Sequence, residues 1–168
     1  RIGTRARVVR GTCLSYGEGI TYWAIGRIVR ELAGIEDEHS SEEARQRISA
    51  HVAREPNGDV VAATIQQLLG ITEGSAAAEE TAVAIRDFLV AGAQTRPLVV
   101  LVDDIQWAEP TLLDLIAALP AAIGDAPILV IALARPELLD DRPDWDATVH
   151  LEPFGEHDVD ALLVSMLG

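Results

Sequence analysis

The chain has 168 residues, 49% of them hydrophobic, enough for one domain with a sizeable core. Its formal net charge is −14 and all 13 basic residues are arginine, which argues against direct binding to a nucleic-acid backbone. The absence of lysine excludes any chemistry that needs an ammonium from this chain, and the single cysteine, Cys13, excludes an internal disulfide and a cysteine-rich zinc site.

In chain order, Ala6–Cys13 (ARVVRGTC) reads as a short strand around Val8 and Val9. Gly11 and the turn-rich Ser15–Gly19 follow, with Gly17 and Gly19 as simple turn glycines. A helix is expected from about Thr21, because Ile25, Ile28, Val29 and Leu32 form one apolar stripe, with Gly34 as its stop. Ser40-Ser41-Glu42-Glu43 is a capping-box start, and Ala44, Ile48 and Val52 then share a face. Pro56-Asn57-Gly58 breaks that helix. A third carries Val61, Ile65, Leu68 and Leu69, and Gly70–Ala78 is a small-residue loop. A fourth helix, Glu79–Gln94, carries Ile85, Phe88 and Leu89, and Arg96-Pro97 ends this helical block at 21–94.

Leu98–Val102 is a continuous, β-branched apolar run, as in a strand buried on both faces. It stops at Asp103-Asp104. After a loop at Ile105–Glu109, Pro110 suits a helix first turn and Leu112, Leu115, Ile116 and Leu119 make the stripe. Ala126–Ala134 is a second apolar strand, followed by Arg135-Pro136. Leu138–Ala147 is a polar loop, Thr148–Leu151 a brief strand, and Gly155–Leu167 a closing helix with Val159, Leu162, Leu163 and Met166 at helical spacing. Strands alternating with helices predict an α/β fold with a parallel sheet. The longest apolar runs are far below the roughly 20 residues of a membrane-spanning helix. The opening RIGTRARVVRG lacks a signal-peptide pattern, so a cytoplasmic protein with no membrane partner is expected.

The chemistry centres on the apolar run that ends in two aspartates, the Walker B pattern. In parallel α/β sheets the ligand crevice lies outside the carboxyl ends of the strands. Asp103, placed there, would be the metal ligand and cofactor contact, holding Mg²⁺ beside nucleotide phosphates. Asp104 would orient or activate the attacking water. As neighbours on an extended chain their side chains diverge, which suits two separate roles. Arg135, at the end of the next strand, would contact the γ-phosphate as a sensor, since a guanidinium matches phosphate oxygens and stays charged. Each has a plainer alternative: a solvated or helix-capping acid for the aspartates, and a surface ion pair with Glu137 or Asp140 for Arg135. Cys13 is expected to be a packed small hydrophobe. His39, His51, His150 and His157 have no ligand spacing. Trp107 either anchors its turn against the sheet or touches a partner or adenine.

LVVLVDDIQWAEPTLLDLI at Leu98–Ile116 resembles the Walker B segment of STAND-type AAA ATPases, the modules of bacterial adenylate/guanylate-cyclase-like proteins and large LuxR-type transcriptional regulators. Trp107, Ala108, Glu109 and Pro110 match the family's turn after the DD pair. Ile128–Trp145 resembles its sensor strand with an Arg-Pro-Glu-Leu ending. Arg10–Leu32 resembles the strand and helix after the P-loop helix, and Val149–Leu163 the last strand and the start of the lid. The resemblance implies a P-loop NTPase-type parallel sheet with flanking helices, lacking the first (Walker A) strand, and an ATP-binding and -hydrolysing signalling switch using ATP and Mg²⁺. No G-x-x-x-x-G-K-[ST] is present, and Gly155 stands where the family commonly has Ser or Asp. The implied partners are an upstream P-loop segment, downstream lid and helical-repeat domains, and a cyclase or DNA-binding output domain in the same polypeptide.

Without the central P-loop strand, the Ala126–Ala134 strand would keep an unpaired edge and Thr148–Leu151 would lack a partner. These residues are then expected to be a segment of a longer chain, marginal or aggregation-prone alone. Two other classes stay open. One is a non-catalytic interaction module with a dead nucleotide site. The other is a receiver domain, against which the missing lysine and the long helical block both count.

Overall fold

The structure is a computed structural model and describes residues 5–15, 21–142, 145 and 148–167; the turn expected at Tyr16–Gly19 lies outside them. The chain divides into two compact units, Arg1–Arg135 and Pro136–Gly168.

In the first unit the apolar runs form three strands: β1 (Arg7–Thr12), β2 (Leu98–Asp103) and β3 (Ile128–Ala132). They make a parallel sheet in the order β1-β2-β3, with β2 central. The register sets Val9 opposite Val100 and Val100 opposite Val130. This is the expected α/β architecture, a parallel sheet flanked by helices. The strand ends follow the ladder and not the apolar runs, because only residues with a ladder partner can be strand: β2 runs one residue past Val102 to Asp103. The expected Ala126–Ala134 contracts accordingly to Ile128–Ala132.

The connection from β1 to β2 is the helical block: α1 (Trp23–Ala33), α2 (Ser41–His51), α3 (Gly58–Leu68) and α4 (Ala78–Ala93). The α1 stripe Ile25, Ile28, Val29 and Leu32 is buried, and Gly34 ends the helix in a left-handed conformation, φ 67°. The Ser40 box forms as expected: Glu43 N–H donates to Ser40 Oγ (3.3 Å) and Ser40 N–H to Glu43 Oε2 (2.8 Å). The Ser40 hydroxyl, which also donates to Glu43 Oε2 (2.7 Å), and then the Ser40 N–H hold the Glu43 carboxyl below the usual carboxylate range. α1 lies directly on β1 at Gly11, where a Cβ would collide with the Ala24 carbonyl. Only glycine permits that approach.

A one-turn 3₁₀ helix (Ile105–Trp107) and α5 (Pro110–Ala122) connect β2 to β3. α1, α4 and α5 all pack against the sheet, and α4 touches both of the others, so they form one layer. That layer buries Val9, Leu98, Val100 and Val102. The opposite face carries Val8, Val99, Leu101, Leu129 and Ile131. Here the structure corrects the expectation that β2 is buried on both sides: Val99 and Leu101 are only half-buried, and Leu129 is 56% exposed. Helices of this unit cover a single face of the sheet among the described residues. No helix of these residues is long and apolar enough to cross a membrane.

In the second unit, the expected polar loop opens with a short helix, α6 (Leu138–Asp141), and α7 spans Glu156–Leu167. Thr148–Leu151, expected as a strand, is not one. An extended run becomes a strand only through a ladder, and no described strand pairs with it. The α7 stripe Val159, Leu162, Leu163 and Met166 has the expected period but stands exposed.

Candidate functional site

Because the strands are parallel, their carboxyl ends share one rim. Cys13 N–H, just past β1, donates to Asp103 O (2.9 Å). Leu133 N–H, just past β3, donates to Val102 O (2.8 Å), and Ile105 N–H returns to Leu133 O (3.1 Å). Asp103 ends β2, and Arg135 leaves the same rim two residues beyond Leu133.

The two aspartates take different side-chain partners, and the extended backbone expected between them is not kept. The backbone does not stay extended: Asp104 is left-handed, φ 58° and ψ 37°, the sole non-glycine positive φ among the described residues. Aspartate tolerates this conformation better than most residues. Asp104 N–H donates to Asp103 Oδ1 (3.0 Å). Asp103 Oδ2 accepts from the Arg10 guanidinium and forms an ion pair with it. Register explains the pair: Arg10 lies level with Leu101, so it shares a face with Asp103 one step further along β2. Asp103 is the more enclosed partner, its side chain 19% accessible against 59% for Arg10.

Asp104 is exposed and its Oδ1 accepts from Gln106 Nε2–H (3.0 Å). Arg135 N–H donates to Gln106 Oε1 (3.3 Å). The Arg135 guanidinium lies over the Trp107 ring, 5.7 Å from its centroid, a cation–π arrangement. Gln106 therefore links the Asp104 carboxylate to the end of β3. Sequence reasoning missed both Gln106 and Arg10. The signal for Arg10 was a charged residue inside an apolar strand; for Gln106 it was an amide two residues after the acid pair.

Beside the rim is a small cleft lined by Cys13, Thr21, Trp23, Trp107 and Glu109, in which the Thr21 hydroxyl donates to Glu109. Cys13 is buried, as expected. Burial, then the charges of Asp104 and Asp103, push its thiol up to about 11. It stays protonated at neutral pH and is no nucleophile. Trp107 is 47% exposed, with the Arg135 guanidinium on its ring.

No group of three His, Cys, Asp or Glu side chains that could hold a metal ion occurs among the described residues. Mg²⁺ needs no such cage, since it keeps several waters and takes one or two carboxylates plus phosphate oxygens. Asp103, a half-buried carboxylate at the strand end, is of the type that demand calls for, once Arg10 gives up its Oδ2. A phosphate cradle is another matter: the chain has no lysine, and the described residues form no glycine-rich strand-to-helix turn.

A family model described as AAA ATPase domain matches residues 1–131. The chain belongs to this family, whose members are nucleotide-hydrolysing modules that use ATP. The match takes in all of β1 and β2, most of β3, and Arg10, Asp103, Asp104 and Gln106; Arg135 lies beyond it. No curated protein and no solved structure matches the chain.

Proposed function

We propose that this chain is the Walker B and sensor portion of a STAND-type ATP-driven regulatory switch. It would work with a phosphate-binding loop carried elsewhere in the same polypeptide. The observation that carries the reading is the single rim on which Asp103, Asp104 and the start of the Arg135 segment meet. Asp103 would hold the metal beside the nucleotide phosphates. Asp104, left-handed and turned outward, orients the attacking water. Arg135 leaves the Trp107 face to meet the γ-phosphate. When bound, Mg²⁺ supplies charge neutralisation of the phosphates, and the protein contributes positioning and electrostatics.

Two features support a separate phosphate loop. The chain lacks the lysine such a loop needs. The outer edge of β3 has no strand beside it among the described residues, and Leu129, Ile131 and Leu133 are exposed there. Both are what a further strand and its helix would cover. The lid and helical-repeat domains, and a cyclase or DNA-binding output in the same polypeptide, belong to this proposal.

The test is ATP binding and turnover by the native gene product with Asp103→Asn and Asp104→Asn. Asp103→Asn is expected to remove the magnesium dependence of binding. Asp104→Asn is expected to leave binding intact and slow turnover about a hundredfold or more, as loss of a positioned acid–base group does. Wild-type turnover in both variants would sink the reading. A second reading, an interaction module with no working nucleotide site, is favoured by the Arg10 guanidinium already on Asp103. It requires that the native protein bind no ATP at any magnesium concentration.

A further inference from the structure

Gln106 sits in the middle of the 3₁₀ turn between the two strand ends, half-buried, with a different kind of partner on each side. Toward β2 is the Asp104 carboxylate, which only accepts. Toward β3 is the Arg135 backbone N–H, which only donates. The primary amide serves both, its NH₂ donating to Asp104 Oδ1 (3.0 Å) and its carbonyl accepting from Arg135 N–H (3.3 Å). These partners also fix which end of the amide is which. A carboxylate of the same length keeps the second bond and loses the first, and a thioether loses both.

Asp104 needs such a partner. It is exposed, at the one left-handed aspartate of the turn, and without a donor its carboxylate is free to rotate into water. A hydrogen bond to an ionised acceptor is among the stronger kinds and directional. We propose that Gln106 is a positioning residue for ATP hydrolysis. It sets the orientation of the Asp104 carboxylate and ties that orientation to the position of the β3 end at Arg135. The inference rests on the reading of the site as an ATPase, and it assigns no contact between Gln106 and the nucleotide.

The test uses Gln106→Met and Gln106→Glu in the native gene product, with Asp104→Asn as reference. Both Gln106 variants are expected to bind ATP within about twofold of wild type. Turnover should fall roughly ten- to a hundredfold, the usual effect of losing a partner that orients a site residue. Amide hydrogen exchange gives a readout independent of turnover. The Arg135 N–H should be protected in wild type and Gln106→Glu, and should exchange faster in Gln106→Met. Unchanged turnover in both Gln106 variants, while Asp104→Asn is slowed, overturns the inference and leaves the ATPase reading standing. Equal Arg135 exchange in wild type and Gln106→Met also overturns it. Absence of ATP turnover in the wild-type protein overturns the ATPase reading itself, and this inference with it.

Discussion

Asp104 shows how much a single backbone torsion decides. At φ 58° a β-branched residue is strained, whereas glycine and asparagine are at ease. Asp104→Gly and Asp104→Asn are therefore expected to keep wild-type stability to within about 1 kcal/mol, while Asp104→Val loses about 1–3 kcal/mol. Urea denaturation of the three variants checks this, and equal midpoints for Val and Asn would contradict it. The acid pair itself was legible, because an apolar strand that stops at two carboxylates is a local pattern. Arg10 and Gln106 were not. The Arg10–Asp103 pair joins positions far apart in sequence and appears only once the β1–β2 register is known. The Gln106 contact depends on Asp104 turning left-handed, which no periodicity reveals.

Among the elements, the helices were the most readable, since their stripes and caps lie within a few residues of one another. α4 begins at Ala78, one residue from the expected start, and Glu80 Oε2 accepts from Ala77 N–H there (3.3 Å). The sheet order was not readable from the apolar runs alone, because pairing is non-local. Between α2 and α4, His51 stacks on Phe88 with ring centroids 4.1 Å apart, and its Nε2 meets Phe88 O at 3.0 Å. Burial lowers its pKa from the ordinary 6.5, against the opposing effect of the Phe88 carbonyl. The neutral ring is thus the folded form, and below pH 6.5 the unfolded chain binds the proton more readily. Stability from this site is full above pH 6.5 and is lost as pH falls through the lower folded value. The drop in urea midpoint between pH 7.5 and 5.5 should be smaller in His51→Gln than in wild type. An equal drop in both would rule His51 out as its source.

For the whole molecule, the first unit leaves apolar Leu129, Ile131 and Leu133 exposed at and beside the free edge of β3. Such an edge pairs readily with other chains. The 168-residue chain alone is expected to self-associate at micromolar concentration. Leu129→Glu with Ile131→Glu should shift it toward monomer in light scattering; a wild-type monomer would remove the basis for this. The same charge balance shapes how a cation arrives. A surface of net charge −14 gathers divalent ions, yet the carboxylate they would claim is held by Arg10. On the proposed reading, loading would be an exchange, one positive group leaving as another enters, with Arg10 as the placeholder at rest. Arg10→Gln removes the competitor. It should lower the magnesium concentration for half-maximal ATP retention about two- to fivefold, the scale of an exposed ion pair, and a titration showing the same midpoint would mean that the guanidinium merely stands nearby.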